Sequence, residues 1–226
     1  MGYGIKLRVW GEYACFSRPE LKVERVSYDF ITPSAARGLL EAIYWKPAII
    51  WVVDRIHVIK PVRFTNIRRN EISETAKLLN VKKAMGQGQS YDIDSNAFRH
   101  QRAAMVLRDV EYIIEAHFEI NHEKAGSDDT CEKHYNIALR RMRNGQFFHK
   151  PCLGTREFAA SCAIIEDDSE IPTSALSGEH DFGFMLLDIN YKLDEKREKQ
   201  TVSPSFFRAK TINGICDLTE VNEVVK

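Results

Sequence analysis

Lys133 and His134 stand side by side at what reads as the start of a helix. Asp129 is placed to cap it, and Glu132 three residues later completes a capping-box pattern. Tyr135, Ala138, Leu139 and Met142 recur at helical spacing, while Arg140, Arg141 and Arg143 load the last turn, where cations suit the helix dipole. Gly145 is the expected stop. The first N–H groups of a helix lack intrahelical partners, so an ammonium and an imidazole beside them suit a phosphate. Two solvated first-turn residues would have the same spelling, so the rest of the chain has to decide.

Other chemistry-bearing patterns are weaker. His117 and His122 with Glu115, Glu119 and Glu123 offer donor atoms, but their strand-to-loop spacing is not that of a standard metal site, and neither a metal nor a cofactor is expected. Gly86-Gln87-Gly88 lacks the third glycine and the preceding strand of a nucleotide loop. Asp181-Phe182-Gly183 matches a kinase tripeptide without any of the loops that accompany it. Trp10, Trp45 and Trp51 could stack on bases, yet tryptophans in strands and at helix ends are more often core. Arg156 reads as a phosphate contact or as the partner of a neighbouring carboxylate, and His149 as a surface residue.

With 226 residues and 44% hydrophobic content, the chain can bury a substantial core. No run approaches the roughly 18 apolar residues of a membrane helix. The opening Met1-Gly2-Tyr3-Gly4-Ile5-Lys6 is not a signal peptide, and Lys6 replaces the Ser or Thr of a myristoylation signal. The cysteines (Cys15, Cys131, Cys152, Cys162, Cys216) are odd in number and contain no C-x-x-C pair, which predicts reduced thiols in a cytoplasmic protein. Net charge is zero but unevenly spread. Residues 55–110 hold eleven Lys/Arg against five Asp/Glu, residues 131–156 six against one, and residues 164–200 four against ten. Two basic segments on one face would bind a polyanion such as RNA.

These residues have to be positioned by the elements around them. Ile5–Trp10 alternates as a half-buried strand, and residues 11–32 form an irregular excursion with short strands around 13–16 and 27–30. Thr32-Pro33 starts a helix over about 33–45, with Ala35, Ala36, Leu39, Leu40 and Ile43 on its apolar face and Tyr44 and Trp45 in its last turn. Ala48–Val53 is a buried strand, interrupted at Asp54-Arg55 and resumed over Ile56–Ile59. Residues 62–103 form a basic insertion, a hairpin or short helices. Ala104–Ile120 is the longest strand signal, with Val110, Tyr112, Ile114, Ala116, Phe118 and Ile120 on one face. After the 129–145 helix, Leu153–Ile165 returns to strand character, and Phe182–Ile189 is a further strand. The order strand, helix, strand, strand, helix, strand predicts an α+β, ferredoxin-like βαββαβ domain over residues 1–165, extended by a smaller β-rich unit over 166–226.

Three stretches carry a resemblance: Ile43-Tyr44-Trp45-Lys46-Pro47, Lys133-His134-Tyr135, and Leu153-Gly154-Thr155-Arg156-Glu157-Phe158. In this order and spacing they resemble the CRISPR-associated RAMP proteins of the fifth family, Dvulg subtype, the crRNA-processing subunits of subtype I-C systems. The resemblance spans the chain from the first strand to the strand after Gly154. It implies an RRM-like RAMP fold and cleavage of CRISPR repeat RNA by a tyrosine, a lysine and a histidine, here Tyr44, Lys133 and His134. It also implies retention of the mature crRNA within a complex of other subtype I-C subunits. Arg63, Arg68, Arg69, Lys82, Lys83, Arg140, Arg141 and Arg156 are the candidate RNA-binding residues. The region after residue 165 departs from the family pattern.

Those residue types also suit the chemistry on their own terms. Cutting RNA without a metal requires the neighbouring 2′-hydroxyl to attack phosphorus in line, leaving a 2′,3′-cyclic phosphate and a 5′-hydroxyl. Histidine transfers protons best near neutral pH, and a lysine at a helix start stabilises the charged phosphorane. Tyrosine, with a reference pKa of about 10, serves as a positioning donor or acid. A different class of reading is a non-catalytic RNA-binding subunit that caps the 5′ handle of a guide RNA.

Overall fold

The computed structural model describes residues 4–21, 23–194, 199–219, 221 and 224–225. In chain order the elements are β1 (Ile5–Ala14), β2 (Arg25–Val26), α1 (Pro33–Ile43), β3 (Ile49–Val58), β4 (Phe64–Ile72), α2 (Leu78–Gly86), β5 (Arg99–Ile120), α3 (Cys131–Arg143), β6 (Ser161–Ile165), β7 (Glu179–Asp194), β8 (Lys199–Ile212), β9 (Ile215–Asp217) and β10 (Val224–Val225). The architecture is mixed α/β and dominated by an antiparallel sheet, ordered β10-β8-β9-β3-β5-β1-β6, with β2 and β4 on β5 and β7 on β8. The β2–β5 pair is parallel.

Alternation along β1 and β5 sets the layers. Ile5, Leu7 and Val9 are buried and lie opposite Ala116, Ile114 and Tyr112. Together with the apolar stripes of α1 and α3 they make one core. The opposite face is polar but paired. Glu111 takes Arg8 Nε at 2.9 Å, and Glu115 takes His57 Nε2 at 3.0 Å. Between them Ile113 packs with Ile59 and Ile165 in a small second cluster.

α1 starts where Thr32 and Pro33 place it: the Thr32 hydroxyl accepts from Ala35 N at 3.2 Å, and Pro33 fills a position whose N–H would be unpaired anyway. β3 is not interrupted as expected. Its register shifts between Val53 and Arg55, so Asp54 sits in a bulge and the strand continues. Asp54 thereby reaches His117, whose Nδ1 lies 2.9 Å from both carboxylate oxygens.

The strand expected over Leu153–Ile165 is confined to β6. Residues 151–160 form a loop instead, closed by Leu153 N to Phe158 O at 2.8 Å and pinned to the end of β1 by Cys15 N to Leu153 O at 3.0 Å. Gly154 explains the departure. Its φ is +87°, and a Cβ there would lie 1.9 Å from the Cys15 carbonyl oxygen.

The basic insertion is a hairpin with a helix in its connection. β4 runs antiparallel to the first half of β5, from Phe64↔Leu107 to Ile72↔Arg99, and α2 lies between them with no buried residue. Beyond β6, β7 and β8 pair with each other, and β9 joins them to the outer edge of β3. Arg37 of α1 clasps Asp188 of β7 through two hydrogen bonds of 2.6 Å.

Candidate active site

Tyr44 closes α1. Its N–H still bonds to Leu40 O at 2.9 Å, but its backbone is extended, φ −147°, so the side chain leaves the helical path and is buried. Arg141 of α3 holds this corner, donating to Ile43 O at 2.9 Å with its guanidinium 5.2 Å from the centre of the Tyr44 ring. Trp51 Nε1 donates to Tyr44 O at 2.8 Å.

The start of α3 differs from the expected frame by one residue. Thr130, not Asp129, is the cap, its hydroxyl accepting from Lys133 N at 3.3 Å. The buried stripe is His134, Ala138 and Met142, four residues apart, which turns His134 inward instead of toward solvent. Only 1% of His134 is exposed, as is 1% of Tyr44.

The structure brings these two residues together across 90 positions of sequence: the Tyr44 hydroxyl lies 2.7 Å from His134 Nδ1. Burial raises the Tyr44 pKa despite the nearby Arg141 charge. The His134 pKa is lowered, first by burial and also by the Lys133 and Lys46 charges, with Asp129 opposing. A phenol kept protonated and an imidazole kept neutral fit donation from Tyr44 O–H to Nδ1, leaving the ring proton on Nε2. Phe118 meets the imidazole edge-on with centroids 6.3 Å apart and gives it an apolar neighbour.

Nε2 is buried, and among the described residues it has no hydrogen-bond partner. Asp129 Oδ1 is 3.2 Å away, close in charge but out of line for a hydrogen bond. That carboxylate also lies 3.5 Å from Lys133 Nζ and accepts from Gly126 N at 3.0 Å, and the Gly126 bond is the main reason its pKa falls. The carboxylate thus sits where an anion facing Lys133 and His134 would sit. Lys133 itself is half-exposed and folds back to donate to Asp128 O at 3.1 Å.

The remaining candidates are spread more widely. Arg141 belongs to the Tyr44 corner, while Arg140 is exposed on α3. Arg156 is exposed on the loop that Gly154 permits. Arg69 pairs with Glu157 of the same loop, and its guanidinium lies 5.5 Å from the Phe158 ring centre, so the hairpin meets that loop partway along β4. Arg63 and Arg68 are exposed on or beside β4, and Lys82 and Lys83 on α2. Among the described residues no hydrogen bond, ion pair or ring contact joins these four to the Tyr44–His134 pair. Two further arginines carry no signal of their own in the sequence: Arg25 and Arg102 line a cleft beside the outer half of the β4–β5 hairpin and share Glu71, at 2.9 and 3.4 Å. Their signal was the pairing of β2 with β5, which sequence alone does not give. Among the described residues no group of three His, Cys, Asp or Glu side chains is arranged to hold a metal ion. No helix among them is long and apolar enough to cross a membrane.

The fold is that of a known class of structures. A crystal structure of a CRISPR-associated protein superposes with a TM-score of 0.68 at 24% identity, covering 99% of this chain and 96% of that one. A functionally uncharacterized protein from Streptococcus mutans follows at 0.67 and 23%, covering 99% and 97%. A chain of a CRISPR RNA-guided surveillance complex shares the fold at 0.52 and 11%, covering 92% and 90%.

Sequence comparison narrows the class. A protein of Mannheimia succiniciproducens named CRISPR pre-crRNA endoribonuclease Cas5d is 48% identical over 223 residues, 96% of each chain. One of Thermus thermophilus with the same name is 42% identical over 197 residues, 87% of this chain and 78% of that one. Residues 4–219 match the Cas5d model of the CRISPR-associated protein (Cas_Cas5) family, and the chain belongs to that family.

Proposed function

We propose that this chain is a metal-independent endoribonuclease that cleaves CRISPR repeat RNA by 2′-hydroxyl attack. It then stays bound to the mature crRNA as a subunit of a subtype I-C interference complex in the cytoplasm. The observation that carries the reading is the buried 2.7 Å contact between Tyr44 and His134 beside Lys133, in a chain 48% identical to a relative named for this activity. Tyr44 holds the ring through Nδ1 and leaves Nε2 facing the phosphate; His134 acts in its protonated form, giving the Nε2 proton to the departing 5′ oxygen and returning to the neutral ring, while the proton of the attacking 2′-hydroxyl passes to water. Lys133 and the first N–H groups of α3 stabilise the charge on the phosphorane. For this to happen the substrate phosphate takes the place of the Asp129 carboxylate. Arg63, Arg68, Arg69, Lys82, Lys83, Arg140 and Arg156 hold the RNA backbone, whereas Arg141 supports Tyr44.

The sheet order β3-β5-β1-β6, with α1 after β1 and α3 after β5, supports a ferredoxin-like, RRM-like RAMP domain over 1–165 carrying the basic hairpin, with 166–226 as a β-rich extension. The near-complete burial of His134 and Tyr44 favours a second reading, a non-catalytic subunit that caps the 5′ handle of a guide RNA.

Incubating the protein with repeat RNA in excess EDTA separates these readings, with a 2′-deoxy substitution at the cut site as control. Cleavage in EDTA that stops with the deoxy substrate is expected. Activity that needs added Mg²⁺ would refute the proposed route. Tight binding without cleavage would favour the capping subunit.

A further inference from the structure

The residue after Tyr44 behaves in the opposite way. Tyr44 is 1% exposed and Trp45 54% exposed. Two adjacent aromatics in extended backbone face opposite ways, so burying one presents the other. A second aromatic group is fastened to the same corner. Phe148 N and His149 N both donate to Ala42 O, at 2.9 and 3.0 Å, which ties residues 146–150 to the end of α1. Phe148 is 72% exposed, and its ring meets that of His149 edge-on at 4.4 Å.

Cations adjoin these rings along the chain, at Lys46 and Lys150. Lys46 and Lys150 are exposed, as is Arg140 on α3, and none of the three has an ion pair among the described residues. Apolar side chains exposed together, as Trp45, Phe147 and Phe148 are at the end of α1, mark a binding surface. A protein-docking surface would be expected to have an apolar centre depleted of charge. Exposed rings interleaved with unneutralised cations instead match single-stranded nucleic acid, whose bases stack while its phosphates are neutralised.

We propose that Trp45 and Phe148 form a stacking ledge for unpaired RNA bases flanking the phosphate held at Lys133 and His134, with Lys46, Arg140 and Lys150 on the adjoining backbone. The location of the scissile phosphate rests on the endoribonuclease reading. The stacking itself does not.

The test measures affinity of Trp45→Ala, Phe148→Ala and Trp45→Phe for a repeat RNA carrying an unpaired flank and made uncleavable by 2′-deoxy at the cut site. A fully paired RNA of equal length serves as control. Each alanine variant should bind the flanked RNA roughly 5- to 150-fold more weakly, the range of stacking losses per base, while the paired RNA is held as by wild type. Trp45→Phe should retain most of the affinity but lose the tryptophan quenching that RNA causes in wild type. Since both rings are exposed, thermal unfolding should be unchanged in all three.

Wild-type affinity for the flanked RNA in both alanine variants, or equal losses for paired RNA, overturns the ledge. So does unchanged RNA affinity together with failure to assemble with other complex subunits, which would make the patch a protein contact. Parallel cleavage by His134→Ala keeps the two readings apart. Inactive His134→Ala with normal binding by the ledge variants refutes the ledge alone. Active His134→Ala with weakened binding by the ledge variants refutes the active-site assignment alone.

Discussion

Replacing Tyr44 by Phe removes one hydroxyl and leaves the ring, including its place under the Arg141 guanidinium, in its packing. The loss is therefore confined to the 2.7 Å bond to His134 Nδ1. Nε2 already lacks a hydrogen-bond partner, so the variant would bury an imidazole with neither nitrogen satisfied. Leaving a buried polar group unpaired costs about 1–3 kcal/mol. At ~2–4 °C per kcal/mol for a chain of this size, the melting temperature should fall by roughly 2–12 °C. The imidazole also loses the bond that fixes its tautomer and ring angle. Misplacement of a reacting group by an ångström costs on the order of 10²-fold in rate. The assay pairs thermal unfolding followed by circular dichroism with single-turnover cleavage of repeat RNA at saturating protein. A variant that melts within a degree of wild type and cuts at the same rate would show that the hydroxyl neither satisfies nor orients His134.

The pH dependence of stability should carry the same signature. Burial, aided by Lys133 and Lys46, holds the folded imidazole below its ordinary 6.5, so the unfolded chain binds the proton more readily. The stability due to His134 is fully present above 6.5 and is lost as pH falls through the lower folded value. Unfolding free energy should thus drop more steeply on acidification for wild type than for His134→Gln; equal slopes would contradict a buried neutral imidazole. Asp129→Asn removes the carboxylate that opposes this depression, so the alkaline limb of the cleavage pH profile, where His134 loses the proton it donates, should move down, and an upward move would refute its assigned effect. Gly154→Ala places a Cβ against the Cys15 carbonyl at positive φ and should cost more than about 1 kcal/mol, read as a lower urea midpoint with unchanged slope; a neutral result would mean the loop has another conformation available. Combined alanine substitution of Arg63, Arg68, Arg69, Lys82 and Lys83 should weaken RNA binding and flatten its salt dependence. An unaltered salt slope would assign them to an ordinary solvated surface.

Where signals are local, the sequence was easy to read. Thr32-Pro33 sets the start of α1 within a few residues of itself, and the two-residue alternation of β5 named its buried face correctly from Val110 to Phe118. The start of α3 was less legible because Asp129 and Thr130 are both good caps, and the choice between them follows from the preceding turn, where Gly126 N claims the Asp129 carboxylate. The inward face is a separate matter: His134 shares the four-residue spacing of Ala138 and Met142, but in sequence the apolar Tyr135 and Leu139 outweigh it. No spacing rule joins Tyr44 to a histidine 90 positions away; only the family resemblance did. Trp45 is half-exposed, not core, because sequence cannot say which of two adjacent aromatics the chain turns inward. The apolar run after Leu153 looked like a strand because nothing local shows how closely Gly154 must approach β1.

The place of β1 between β5 and β6 has a consequence for the order in which this chain can be assembled. Leu7 faces Ile114 on one side and Ile164 on the other, so both hydrogen-bonding edges of the strand wait for partners made far later. At roughly 5–20 residues per second, a nascent chain would carry unpaired β1 for about 5–20 s before β5 leaves the ribosome, and longer before β6 does. During that time Ile5-Lys6-Leu7-Arg8-Val9-Trp10 is an open template for pairing with other chains. Lys6 and Arg8, which later meet Glu115 and Glu111, place charge within that edge while it is unpaired. The same two residues that hold the finished sheet thus also guard the unfinished one against aggregation.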